Sequence, residues 1–203
     1  MAFLKEKISS LKDNKGTGKN GGESAVDHDR NDTLDIKLKH AMRRWAKAVA
    51  VITAGEGESQ TGATVTSALL FSLEPAIMLI SINRSSSTYR SITKNGHFCV
   101  NVLNAGQQSV AERFSGMGNF KGRQRYEGAE WYRMVTGALA LTGALATIDC
   151  KVDEIIERYS HALILGGVVA ADINEGATLV YRNAAYGQYG AESQQAQMSL
   201  SNQ

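Results

Sequence analysis

Between residues 49 and 181 the chain is a succession of short apolar, β-branched runs, and helix-length amphipathic stretches intervene only two or three times. That imbalance limits the fold more than any other feature. Val49-Ala50-Val51-Ile52-Thr53 is the first run and stops at the turn residues Gly55-Glu56-Gly57-Glu58. Residues 63–67 with 69–71 read as a second strand, and residues 77–83, after Pro75, as a third. Residues 98–103 alternate in strand fashion, and 144–156, 162–171 and 178–181 supply three more candidates. A doubly wound sheet needs a helix after almost every strand. Six or seven strands with so few helices point instead to a mainly β protein, a closed or nearly closed barrel.

The helices expected are few. Asp32 or Thr33 can cap one over residues 34–47, with Leu38, Met42 and Trp45 on one face and Lys37, Lys39, Arg43 and Arg44 turned outward. A short helix over 86–94 stops at Asn95-Gly96. Another runs from Asn104, with Gln107 as its capping-box partner, to Phe114. Residues 115–135 carry Gly116, Gly118, Gly122 and Gly128 and read as a loop.

The organisation is one domain over 35–189 between two tails. Residues 1–34 hold the polar, glycine-rich stretch Lys12-Asp13-Asn14-Lys15-Gly16-Thr17-Gly18, which cannot bury enough apolar surface to order itself. A short amphipathic start is expected around Phe3, Leu4 and Ile8. Residues 190–203 are rich in Gln and Ser and read as frayed. Gly16-Thr17-Gly18-Lys19-Asn20-Gly21 fits the dinucleotide glycine pattern, but no strand precedes it, so that reading is rejected.

Charge and cysteine content narrow the function. Twenty-two basic against twenty acidic side chains leave +2, too balanced for a nucleic-acid or membrane surface. Cys99 and Cys150 each sit inside an apolar segment and read as reduced core residues, as does His97 as a structural histidine. His28, His40, His97 and His161 show no metal-ligand spacing with them. With no signal-like apolar core at the start and no membrane-length run, a cytoplasmic location is expected. No nucleophile elbow, HExxH or P-loop occurs.

What does stand out is Asn83-Arg84-Ser85-Ser86-Ser87-Thr88-Tyr89, where a strand gives way to a helix. Helix-start amides are unpaired and carry the positive end of the dipole, and hydroxyls add donors, so the segment suits an anion. The plainer alternative is a helix cap and a turn. A second hydroxyl-rich segment, Gly62-Ala63-Thr64-Val65-Thr66-Ser67, lies upstream. An anion cradle without an evident nucleophile or metal suggests a phosphorylated cofactor that carries the reaction.

His40-Ala41-Met42-Arg43-Arg44-Trp45-Ala46 followed by Val49-Ala50-Val51-Ile52-Thr53 resembles the start of the short flavin reductases of two-component monooxygenases. The resemblance continues through Thr64-Val65-Thr66-Ser67, Phe71-Ser72-Leu73-Glu74-Pro75, the hydroxyl run, and Gly96-His97-Phe98-Cys99-Val100-Asn101-Val102-Leu103. Ala111-Glu112-Arg113-Phe114-Ser115-Gly116, Leu145-Ala146-Thr147-Ile148-Asp149-Cys150, His161-Ala162-Leu163-Ile164-Leu165-Gly166 and Leu179-Val180-Tyr181-Arg182 complete it in order, over about residues 36–187. The chain departs where the family's Gly-Asp-His is Tyr159-Ser160-His161.

The resemblance implies the FMN-binding split β-barrel, six- or seven-stranded and Greek-key-like. It also implies an NAD(P)H:flavin oxidoreductase that moves hydride from NADH or NADPH to FMN or FAD and supplies a separate monooxygenase. Gly62, Ala63, Thr64, Thr66 and Ser67 are then expected along the flavin ring, with Gly62 allowing close approach. Ser81, Ile82 and Asn83 are expected on its other side, Ser87 and Thr88 on the phosphate, and His161 beside the nicotinamide. Arg113, Lys121, Arg123 and Arg125 are either further phosphate ligands or ordinary exposed cations. A homodimer is implied. Two alternatives stay open: an FMN-binding electron carrier, and a flavin-dependent reductase of another acceptor such as ferric iron or a corrinoid.

Overall fold

The computed structural model describes residues 24–190. The amphipathic start, the rejected glycine pattern and the C-terminal fraying expected at 191–203 lie outside them. The elements are helix α1 (Ser24–Arg44), strands β1 (Lys47–Ala48), β2 (Ala50–Ala54), β3 (Thr61–Val65), β4 (Ala68–Leu73) and β5 (Ala76–Asn83), helix α2 (Ser87–Asn95) and strand β6 (His97–Val102). There follow α3 (Gln108–Phe114), β7 (Trp131–Arg133), β8 (Leu139–Leu141), β9 (Ala146–Arg158), β10 (His161–Ile173), β11 (Thr178–Arg182) and β12 (Ala185–Tyr189).

Seven antiparallel strands form the main sheet in the order β3-β2-β6-β9-β10-β5-β4. Its two edges, β3 and β4, are consecutive in the chain with only Thr66 and Ser67 between them. That connection reaches about 11 Å at full extension, so the sheet must roll until its edges meet. Within that connection, the seam of the rolled sheet, Ser67 extends the β4–β5 ladder by one step: Ser81 N–H donates to its carbonyl at 3.3 Å and its Oγ donates to the Ser81 carbonyl at 3.0 Å. The long β9–β10 ribbon bends at register shifts near Leu165–Gly166 and Val168–Ala170. At Gly166 a Cβ would stand 2.6 Å from the Phe98 ring, so only glycine lets β10 pass over that buried side chain.

β2 is buried along its whole length, which explains a run without polar alternation, and its one hydroxyl, Thr53 Oγ1, donates to the Leu139 carbonyl at 2.5 Å. One face joins Ile80, Ile82, Phe98, Val100 and Ile164 inside the barrel, where Ile92 of α2 enters as a plug. Around its other side Val49, Val51, Leu103, Phe114, Leu141 and Leu179 form a second core under α3 and β11.

Four expectations change. The first helix passes through Asp32 and Thr33 instead of starting there. Its stripe does not meet the barrel, since Leu38, Met42 and Trp45 are 56%, 41% and 62% exposed. Near its end the helix is tied down, where Asn183 N–H donates to the Arg43 carbonyl and Arg182 Nε to that of Arg44. Residues 63–71 are two strands turning at the seam, and β7, β8 and β12 emerge where no strand was expected.

Candidate functional site

The two hydroxyl-rich segments converge. Ser86, with φ −74° and ψ 153°, is the N-cap of α2 and accepts the Tyr89 N–H at 3.0 Å. Capping by Ser86 leaves Ser87 free to point elsewhere, and its Oγ lies 2.9 Å from Thr61 Oγ1 of β3. Around that pair opens a cavity of about 570 Å³ whose lining includes Thr61, Ser87, Arg90, Lys94, Lys121 and Arg125. Glu58 is the one acid in that lining, so the cavity is cationic and sits at the positive end of a helix.

Arg125 is the best anchored of these cations. Its Nε donates to the Phe120 carbonyl at 3.0 Å and its Nη1 makes a short bond to the Gly62 carbonyl. Burial lowers its pKa, with the Tyr126 phenol opposing that effect. A bound anion would relieve the cost of holding that charge half-buried. The neighbouring Tyr126 hydroxyl donates to the Thr61 carbonyl at 2.6 Å, which fixes the strand carrying Thr61.

The remaining expected residues divide by face. Thr88 is 1% exposed and its Oγ1 is buried without a partner, so of the expected phosphate pair only Ser87 opens onto the cavity. Thr64 donates to the Ala111 carbonyl at 2.6 Å, which commits its hydroxyl to α3 and not to a ring. Ala63, on the opposite face of β3, is half-buried. Gly62 has a role other than ring clearance: a Cβ there would strike the Ile52 carbonyl oxygen and stand 2.7 Å and 2.9 Å from Phe114. Ile82 is 3% exposed in the barrel core, so only its main chain is open to a ligand.

Thr66, Ser67 and Ser81 are half-buried along the seam. Asn83 ends β5 and accepts the Ser85 N–H and Oγ–H, both at 2.8 Å, turning the chain toward α2. Directly across from Asn83 in register stands His161, at the start of β10. It is exposed, and its Nδ1 lies 2.9 Å from Ser160 Oγ. Seam, phosphate cavity and histidine therefore lie along one path: Thr66–Ser67, Ser81–Asn83, then Ser87 on one side and His161 on the other.

Arg113 and Arg123 have other duties. Arg113 lies 4.0 Å over the Phe120 ring and pairs with Glu127 at 3.3 Å, while Arg123 faces Glu58 at 3.9 Å. Arg90 and Lys94 were not expected. They follow Ser87 at helical spacing, three and seven residues on, so one face of α2 carries all three. That spacing was the available signal.

A rolled antiparallel sheet with a cationic cavity at a helix start, a hydroxyl-lined seam and an exposed histidine is a barrel that can hold an anionic ligand. Residues 42–190 match the flavin reductase like domain. The FMN reductase (NADH) RutF of Pseudomonas syringae pv. syringae is 33% identical over 152 residues, 74% of this chain and 84% of that protein. BorF, the flavin reductase component of a bacterial two-component tryptophan halogenase, has a TM-score of 0.70 at 26% identity over 76% of this chain and 97% of its own. A flavin reductase domain protein from Arthrobacter sp. FB24 gives 0.69 and 26%, over 77% of this chain and 96% of its own. The chain belongs to the flavin reductase like domain family and is an oxidoreductase of that class. None of its described helices is long and apolar enough to cross a membrane.

Proposed function

We propose that this chain takes hydride from NADH or NADPH, passes it to free FMN or FAD, and supplies the reduced flavin to a separate monooxygenase. The observation that carries the reading is the meeting of Thr61 and Ser87 at the mouth of a cationic cavity, at one end of the seam. Ser87, the α2 start, Arg90, Lys94 and Lys121 fit a flavin phosphate by charge and donor type. Thr66, Ser67, Ser81 and the Asn83 end of β5 fit the polar edge and flank of a flat ring.

The flavin supplies the electron-accepting ring, and the nicotinamide the hydride, so the protein needs no strong acid or base. Its own contribution is orientation and exclusion of water. Arg125 holds β3 against the 120–126 loop, keeping Thr61 opposite Ser87. Ser160 occupies His161 Nδ1 and leaves Nε2 to face the nicotinamide. A second copy of the chain fits the reading too. The exposed stripe of α1 and the exposed Leu69, Leu70 and Phe71 of edge strand β4 are apolar surfaces that a homodimer would cover.

The test is to mix the protein with NADH and added FMN or FAD and follow loss of the nicotinamide absorbance. No oxidation above background refutes the reading. A yellow flavin that survives purification, with no turnover of added flavin, would favour an electron carrier or a reductase of another acceptor.

A further inference from the structure

We propose that Tyr159 is a stacking platform for the adenine ring of the hydride donor, and so a specificity element for a dinucleotide over a mononucleotide. The proposal rests on the placing of the nicotinamide beside His161.

The β9–β10 connection is a two-residue turn, Tyr159-Ser160, between Arg158 and His161. Tyr159 adopts φ 51°, a left-handed conformation that a hairpin turn ordinarily assigns to glycine or asparagine and that a bulky side chain resists. Its ring recovers nothing by contact, because Tyr159 is 95% exposed and its hydroxyl has no partner among the described residues. The conformation is nonetheless held firmly. Arg84 Nη1 donates to the Tyr159 carbonyl at 3.1 Å, Arg84 N–H donates to the Ser160 carbonyl at 3.0 Å, and the same guanidinium pairs with Glu157. A strained residue fixed in place, carrying an aromatic ring into solvent, suggests a duty toward something outside the chain.

Position narrows what that is. Tyr159 stands two residues from His161 on the rim that also carries Asn83. A donor whose nicotinamide lies at His161 must place its diphosphate and second base within one nucleotide's length. Arg84 is already matched by Glu157, so the positive charge left there is that of exposed Arg158, whose Nη1 is engaged only by the Glu157 carbonyl, at 2.7 Å, among the described residues. The other aromatic close by, Tyr89, is tied through its hydroxyl to Glu157. An exposed ring, next in sequence to an arginine with no acidic partner among the described residues, suits a planar base that bears a diphosphate.

The test compares Tyr159→Ala, Tyr159→Gly and Tyr159→Phe with NADH and with reduced nicotinamide mononucleotide, which lacks the adenylate. Ala and Gly should raise KM for NADH about tenfold, with kcat changed by less than about twofold. Phe should restore the NADH KM, and the mononucleotide should not distinguish the variants. Tyr159→Gly should also raise Tm, so that its loss of NADH affinity is not misfolding. Unchanged NADH KM in both Ala and Gly, or an equal rise with the mononucleotide, overturns the platform. Calorimetric titration of ADP-ribose separates this from the flavin reductase reading. Weaker binding to Tyr159→Ala supports the platform even if NADH oxidation is absent, and equal binding refutes it even if oxidation is fast.

Discussion

Gly62→Ala separates two explanations of one residue. If the glycine exists to admit a flat ring, alanine weakens flavin binding and leaves the fold intact. The packing says otherwise. The new Cβ would meet the Ile52 carbonyl, main chain of the strand paired with β3, and would stand 2.7 Å and 2.9 Å from Phe114 Cε1 and Cδ1. Neither neighbour can retreat. Phe114 is 2% exposed and wedged edge-on against Tyr126 at 5.0 Å and tilted against Trp131 at 5.5 Å. Overpacking costs about 1–3 kcal/mol, and a displaced β2–β3 hydrogen bond adds about 1 kcal/mol, so about 2–4 kcal/mol is expected. For a domain of this size that lowers Tm by roughly 4–16 °C. Urea unfolding followed by tryptophan fluorescence should show a lower midpoint with an unchanged slope. A midpoint within error of wild type, together with weakened FMN binding, would refute the packing argument and reinstate ring clearance.

Three further outcomes follow from the same geometry. Ser87→Ala should weaken FMN binding about tenfold, the worth of a hydrogen bond to a charged group, while riboflavin, which lacks the phosphate, binds equally to both proteins. His161→Ala should slow hydride transfer in single-turnover mixing far more than it weakens flavin binding; equal effects would remove it from the nicotinamide. Burial pushes the Cys99 thiol and the Tyr126 phenol up from ordinary values of 9.0 and 10.0, and the Cys150 thiol up to about 12. The folded state thus holds protons that the unfolded chain releases from about pH 9, so this stability is complete below pH 9 and lost as pH rises through about 12. Alkaline melts should show that decline, and neither thiol should react with iodoacetamide at pH 8 until the protein unfolds.

Local pattern was enough for most strands of the main sheet and for the start of α2. Val49-Ala50-Val51-Ile52 is apolar at every position because β2 is covered on both faces, and Ser86, in the middle of the serine run, caps α2. These are properties of neighbours in sequence, governed by periodicity and by which backbone donors a helix start leaves open. Which hydroxyls face a ligand was not legible, because the face of a strand is set by what it packs against. Thr64 and Thr88 look like Thr61 and Ser87 in sequence, yet α3 and the interior claim the first pair and the cavity the second. The apolar stripe of α1 misled for a similar reason: periodicity shows that a helix has an apolar face, not that the same chain covers it.

The sequence by itself determined a mainly β barrel, a serine-capped helix start and the ordered motifs of a flavin reductase. The tertiary structure alone decided that residues 66 and 67 form the seam, that Thr61, Lys121 and Arg125 join Ser87 around one cavity, and that Gly62 answers to Phe114. It also placed Tyr159 in the open beside His161. Those facts depend on contacts between residues tens of positions apart, and such contacts exist only once the sheet has rolled and brought its two edges together.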